Sequence, residues 1–155
     1  MISPELLRRY AFFGQFSESE LYAIAMISEE FTADAGTVIF EECQPADGLY
    51  LLIEGSIDLY YKSEEEYHPK TKKEFLVGEI NPGEIFSISS MIEPYVLNAS
   101  ARASKPSRYI KIDAAALRQL CDENVKLGRI IMQQIAKALM ERLAYTRVQL
   151  AAAWA

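Results

Sequence analysis

Two hydrophobic spacings divide the chain. Near its start, Leu21, Ile24, Ala25 and Ile27 recur at the three-and-four step of a helix with one buried face. Ser17-Glu18-Ser19-Glu20 stands just before them as a capping box: the serine hydroxyl takes an orphan N–H of the first turn and the glutamate returns to the serine N–H. Pro4 opens a shorter turn, PELLRRY, at a first helical position, where its missing N–H costs nothing. From Phe31 to Asp113 the pattern becomes short β-rich runs: Thr37–Phe40, Leu49–Ile53, Ser56–Tyr61, Lys73–Ile80, Ala99–Ala103 and Arg108–Ile112, separated by Gly36, Gly48, Gly55, Gly78 and Gly83. Short strands at regular spacing with turn residues between them predict a sandwich or barrel. Glu54-Gly55, between two apolar runs, reads as a hairpin turn. Lys62–Lys73, KSEEEYHPKTKK, reads as a solvated loop tip joining two strands.

From Ala114 the pattern is helical again. Asp113 is placed to cap a short helix, and Asp122 or Asn124 a longer one. No proline interrupts Val125 to Leu150, so that helix is expected to run about 40 Å. It carries two neighbouring stripes. One is Ile131, Ile135, Ala138, Arg142 and Tyr145; the other is Met132, Ala136, Leu139, Leu143 and Leu150. One stripe suffices to bury the helix on the β body, and a barrel about 25 Å across cannot cover its whole length. The second stripe is therefore expected to be the seam of a homodimer, the alternative being one wide core-facing stripe in a monomer. The layout is α+β: N-terminal helices over 1–30, a β-roll of jelly-roll type over 31–113 and C-terminal helices over 114–155, in a single domain.

Composition narrows the function. The 155 residues are half apolar and one quarter charged, a globular balance. Sixteen basic against 22 acidic residues leave a net charge of −6, the wrong sign for a duplex-binding face. No apolar run approaches the roughly 20 residues that cross a bilayer, and MISPELLRRY lacks a signal-peptide core, so a cytoplasmic protein with no membrane partner is expected. Cys43 and Cys121 are two thiols, read as reduced. His68 is the lone histidine, beside Pro69 in a polar stretch, and makes neither a metal site nor a catalytic triad. With no phosphate loop, G-x-S-x-G or H-E-x-x-H, catalytic residues are not expected.

Two blocks carry a family likeness. The first is F-T-A-D-A-G-T-V-I-F-E-E-C-Q-P-A-D-G-L-Y-L-L-I-E-G-S-I-D-L-Y from Phe31, with Gly36, Glu41-Glu42, Ala46-Asp47 and Gly55 in place. The second is Asn81-Pro82-Gly83-Glu84-Ile85-Phe86. Together they resemble the cyclic nucleotide-binding domain of the catabolite activator family, a cupin-like β-roll. The resemblance implies a phosphate-binding cassette at Gly83, Glu84, Phe86, Ser87, Ile88, Ser89, Leu97, Asn98 and Ala99. Backbone N–H groups there would face a cyclic phosphate, an arginine would pair with its charge, and a glutamate would take the ribose hydroxyl.

This cassette departs from the family pattern. Aligned on Phe86, Ser87 stands at the family glycine and Ile88 at the ribose-binding glutamate; aligned on Ala99, Leu97 stands at the phosphate arginine. Arg102 follows five positions after Leu97, so on a strand it faces the opposite way. Cys43 also replaces a turn glycine. A phosphate buried without its arginine would cost several kcal/mol. The serine hydroxyls suit a neutral polar ligand or a weakly held anion.

The expectation is thus a regulatory or sensor module without a cofactor, with cyclic nucleotide binding weak or lost. Its partners would be a second copy and either a small-molecule ligand or another protein. A true cyclic AMP or cyclic GMP sensor and a ligand-free interaction module working through the C-terminal helix are the alternatives. The family's transcription factors follow the long helix with a helix-turn-helix. This sequence ends at Ala151–Ala155 and reads as a stand-alone module or as one domain of a longer protein, with no DNA binding of its own.

Overall fold

The computed structural model describes residues 1–63 and 73–155. The charged loop tip and His68 fall almost wholly outside them. Helix α1 spans Pro4–Arg8 with Pro4 in its first turn, a 3-10 turn covers Ala11–Phe13, and α2 spans Glu18–Met26. The capping box of α2 is formed: Glu20 N–H donates to Ser17 Oγ at 3.3 Å and Ser17 N–H donates to Glu20 Oε1 at 2.9 Å.

Eight strands follow among the described residues: β1 Ser28–Ala33, β2 Val38–Phe40, β3 Gly48–Glu54, β4 Ile57–Ser63, β5 Lys73–Ile80, β6 Ile85–Phe86, β7 Ser100–Ala103 and β8 Ser107–Asp113. They form two antiparallel sheets, ordered β1-β8-β3-β6 and β2-β7-β4-β5. Helices α3, Ala114–Glu123, and α4, Val125–Ala153, close the chain. Asp113 caps α3 through Ala116 N–H at 2.9 Å, and Asn124 caps α4 through Leu127 N–H at 3.1 Å. The architecture is the α+β roll with flanking helices that the strand and helix patterns predict.

Strand β3 lies between two cores. Leu49 and Leu51 join Ile110 and Ile112 in packing against α2, α3 and α4, while Tyr50 and Leu52 face the roll interior with Leu59, Phe86, Ala101 and Ala103. Burial on both faces explains why GLYLLIE reads as a continuous apolar run rather than an alternation.

The Glu54-Gly55 hairpin expected from the sequence is not formed. Strand β3 is paired on both edges, by β8 and β6, so no edge is free for β4, which enters the other sheet. Gly55 instead carries the chain from one sheet to the other. Its φ is +102°, and a Cβ there would lie 2.1 Å from Ser107 Oγ, so the corner requires glycine. Two strands escaped the pattern. β1 is an edge strand whose central residues are exposed, and β6 is two residues long.

Candidate functional site

The cassette begins at the turn that leads from β5 into β6, which lies beside β3. Gly83 N–H donates to Leu52 O at 2.8 Å and Leu52 N–H donates to Glu84 O at 3.1 Å, so the Gly83-Glu84 turn is fixed to β3. The Glu84 carboxylate accepts from Asn81 N–H at 2.6 Å and closes the turn. Phe86 is fully buried in the roll, with its ring 5.0 Å from Tyr50 and 6.1 Å from Phe40, and Tyr109 closes the cluster 5.6 Å from Tyr50. Burial pushes the Tyr50 and Tyr109 hydroxyls above their ordinary range, so both rings stay neutral at physiological pH.

Ser87 takes a left-handed backbone, φ 62° and ψ 42°, and leads into a 3-10 turn over Ile88–Met91. A residue with a Cβ holds that conformation at a cost of about 1–2 kcal/mol. Ser87, at the position the resemblance gives to glycine, thus sits in a conformation that favours glycine, and Cys43, φ 68°, is left-handed too. The hydroxyls of Ser87 and Ser90 are buried and find no hydrogen-bond partner in the protein. Ser89 is half-buried.

Ile88 is buried, but among the residues that pack on the helices and not in the roll interior. Leu97 is buried where its segment zips against Cys43–Ala46: Leu97 N–H donates to Gln44 O and Cys43 N–H to Leu97 O, both at 2.8 Å. Asn98 is exposed and Ala99 half-buried beside the roll core. Arg102 points away from that core, between inward-facing Ala101 and Ala103. Its guanidinium lies 4.6 Å from the Tyr60 ring centroid and 3.4 Å from Glu74.

Two other arginines touch the cassette. Arg118 of α3 donates to Ser90 O at 2.6 Å and stacks on the Tyr95 ring at 3.9 Å. Arg142 of α4 donates to Ile85 O at 2.9 Å. Burial lowers the Arg142 pKa, and Glu84 and Glu141 oppose that shift. The sequence pattern marks Arg142 only as a charge inside an apolar stripe and does not mark Arg118, because both contacts join segments far apart in the chain. Beneath α4, a cavity of about 450 Å³ opens between Gln134–Tyr145 and the Gly78–Ile85 segment. Cys121 is held up to about 11 by burial and by nearby Asp122, which keeps it a thiol. Among the described residues, no group of three or more His, Cys, Asp or Glu side chains is placed to hold a metal ion, and no helix is long and apolar enough to cross a membrane.

A cassette of this form, set in a two-sheet roll with a long exit helix, defines a regulatory ligand-binding type of domain, and comparison with known proteins gives the family. The cyclic nucleotide-binding domain profile matches residues 30–124, and the chain belongs to that family. A crystal structure of a candidate cyclic nucleotide-binding protein from Geobacter metallireducens GS-15 superposes with a TM-score of 0.78 at 41% identity, covering 92% of this chain and 99% of that one. The sensor domain of the transcriptional regulator DNR from Pseudomonas aeruginosa shares the fold, with a TM-score of 0.71, 24% identity and 90% of each chain covered. A CRP-like cAMP-activated global transcriptional regulator of Mycobacterium tuberculosis is 24% identical over 147 residues, 95% of this chain. The chain spans 61% of that relative's length.

Proposed function

We propose that this domain is a regulatory module of the family that does not hold cyclic AMP or cyclic GMP tightly. The observation that carries the reading is the pair Ile88 and Leu97, buried and apolar at the positions that align with the ribose glutamate and the phosphate arginine. Arg102 cannot replace the missing cation, because it is engaged with Glu74 and Tyr60 on the far side of its strand. The module works by binding and not by catalysis, in the cytoplasm, without DNA or membrane contacts of its own. It pairs with a second copy through Met132, Ala136, Leu139, Leu143 and Leu150, a stripe of α4 that is exposed throughout.

A second reading, a working cyclic nucleotide sensor, is favoured by the left-handed Ser87 and by two buried hydroxyls free to bond. Calorimetry with cyclic AMP and cyclic GMP separates the two. Binding weaker than micromolar is expected, and micromolar or tighter binding selects the second reading. In the double variant Ile88→Glu with Leu97→Arg, binding should appear or strengthen if the backbone cradle is intact.

A further inference from the structure

The cavity beneath α4 meets the cassette only at its Gly83–Ile85 entry; Ser87, Ile88, Ser89 and Leu97 do not line it. Its α4 wall is Gln134, Lys137, Ala138, Glu141, Arg142 and Tyr145, which recur at helical spacing on the side opposite Met132, Ala136, Leu139 and Leu143. The cavity is therefore complete within one chain and lies away from the proposed seam. Its 450 Å³ falls within the range of small-molecule pockets, about 300–1,000 Å³. The floor is apolar: Phe12, Ile80 and Ile85 are buried, and Ala138 packs on the helix-side core.

The rim is charged, and its charges do not balance. Glu79 of β5, Glu84 and Glu141 line it, against two cations, Lys137 and Arg142. Among the described residues none of the three carboxylates is in an ion pair. Arg142 is spent on Ile85 O at 2.9 Å, and Glu84 accepts from Asn81 N–H at 2.6 Å. Glu79 accepts only a long bond, 3.4 Å, from the Ser56 hydroxyl. It also stands in register with Asp58, a like charge directly across the strand pair. Burial and Glu79 raise the Asp58 pKa against the opposing pull of Arg102, as a local excess of negative charge requires. An anion entering the cavity would meet that excess. A bare inorganic ion would leave the apolar floor uncovered. A cation with an apolar body answers both.

We propose that this cavity is a ligand site in its own right and takes a small organic amine. Glu79 and Glu141 hold the ammonium, and the apolar body covers Phe12, Ile80 and Ile85. The site does not depend on what the cassette binds.

Three probes that share one apolar body test it on the full chain: phenethylamine, phenethyl alcohol and phenylacetate, titrated while amide chemical shifts are followed. Phenethylamine should bind at millimolar concentration or below and shift the amides of Ile80, Ile85 and Tyr145, not those of Ile88–Met91. The alcohol should bind several-fold more weakly, and the acid least. Glu79→Gln and Glu141→Gln should each weaken the amine by about two- to fivefold, the worth of an exposed ion pair, and leave the alcohol unchanged. The two changes together should erase the preference for amine over alcohol. The site is refuted if phenethylamine does not bind, binds no better than the alcohol, shifts the cassette amides instead, or keeps its preference in the double variant. Calorimetry with cyclic nucleotides judges the cassette separately, so either reading can fail alone.

Discussion

The two halves of α4 share one helical period and similar residues but meet different surroundings. In the first half, Leu127, Ile130, Ile131 and Ile135 are at most 2% exposed against α2, α3 and the outer face of β3 and β8. In the second, Leu139, Leu143 and Leu150 are 44%, 58% and 58% exposed. An apolar stripe records that something should cover it; which surface does so is decided by where the body of the protein ends. The first half is therefore stability, and the second is available for association.

Substitutions that treat the halves as interchangeable break the comparison most directly. The largest effect is expected from Leu139→Asp, which places two like charges near the axis of the proposed dimer and costs about 3–5 kcal/mol of association. Sedimentation equilibrium over a dilution series should show a wild-type dimer and a mutant monomer whose urea midpoint is unchanged. Ile131→Ala should do the reverse, losing about 2–5 kcal/mol of folding stability in urea. A smaller loss, about 1 kcal/mol, is expected from Asn124→Ala, which removes the cap of the first half. That change also breaks the bond from Asn124 Nδ2 to Glu20 Oε2, 3.0 Å long, so a larger loss would show that Glu20 depends on it.

The smallest effect is a pH dependence. The hydrogen bond from Ser17 N–H, opposed by burial and helped by the Ser17 hydroxyl, Lys126 and Asn124, holds Glu20 below the usual carboxylate range. Its contribution is present above the unfolded value of about 4.3 and is lost as pH falls through the lower folded value. Glu20→Gln should flatten the acid limb of a stability–pH curve while leaving the neutral region less changed.

Features written in neighbouring residues were legible before the structure. Ser17 with Glu20, Pro4 and Asp113 mark helix starts because caps are local chemistry, and of the two candidates for the long helix, Asp122 and Asn124, the cap is Asn124. Strand β5 falls on the Lys73–Ile80 run that the pattern marks. Features that depend on distant partners were not. Polar, exposed β1 is a strand because β8 lies beside it, and Arg108 of β8 holds Glu30 at 2.8 Å and Glu54 at 3.0 Å. Gly55 has the local chemistry of a hairpin, and only the two filled edges of β3 forbid one. In the cassette, the identities at Ile88 and Leu97 were readable. The placement of Ile88 against the helices, outside the roll interior, and the contacts of Arg118 and Arg142 belong to the tertiary structure.

The pairing of β1 with β8 has a consequence for how the chain folds. Ser28 lies opposite Ile112 and Ala33 opposite Ser107, so the first strand finds its partner only after the last has been made. During synthesis β1 waits with its backbone groups on water while six strands and the cassette emerge. Loop-closure entropy must be overcome before that contact returns any stability, which makes folding slow for the domain's size. The sheet closes late and as a unit. A ribosome-bound chain ending before Asp113 should be open to protease along β1 even when α2 has formed, and release of β8 should protect both strands together.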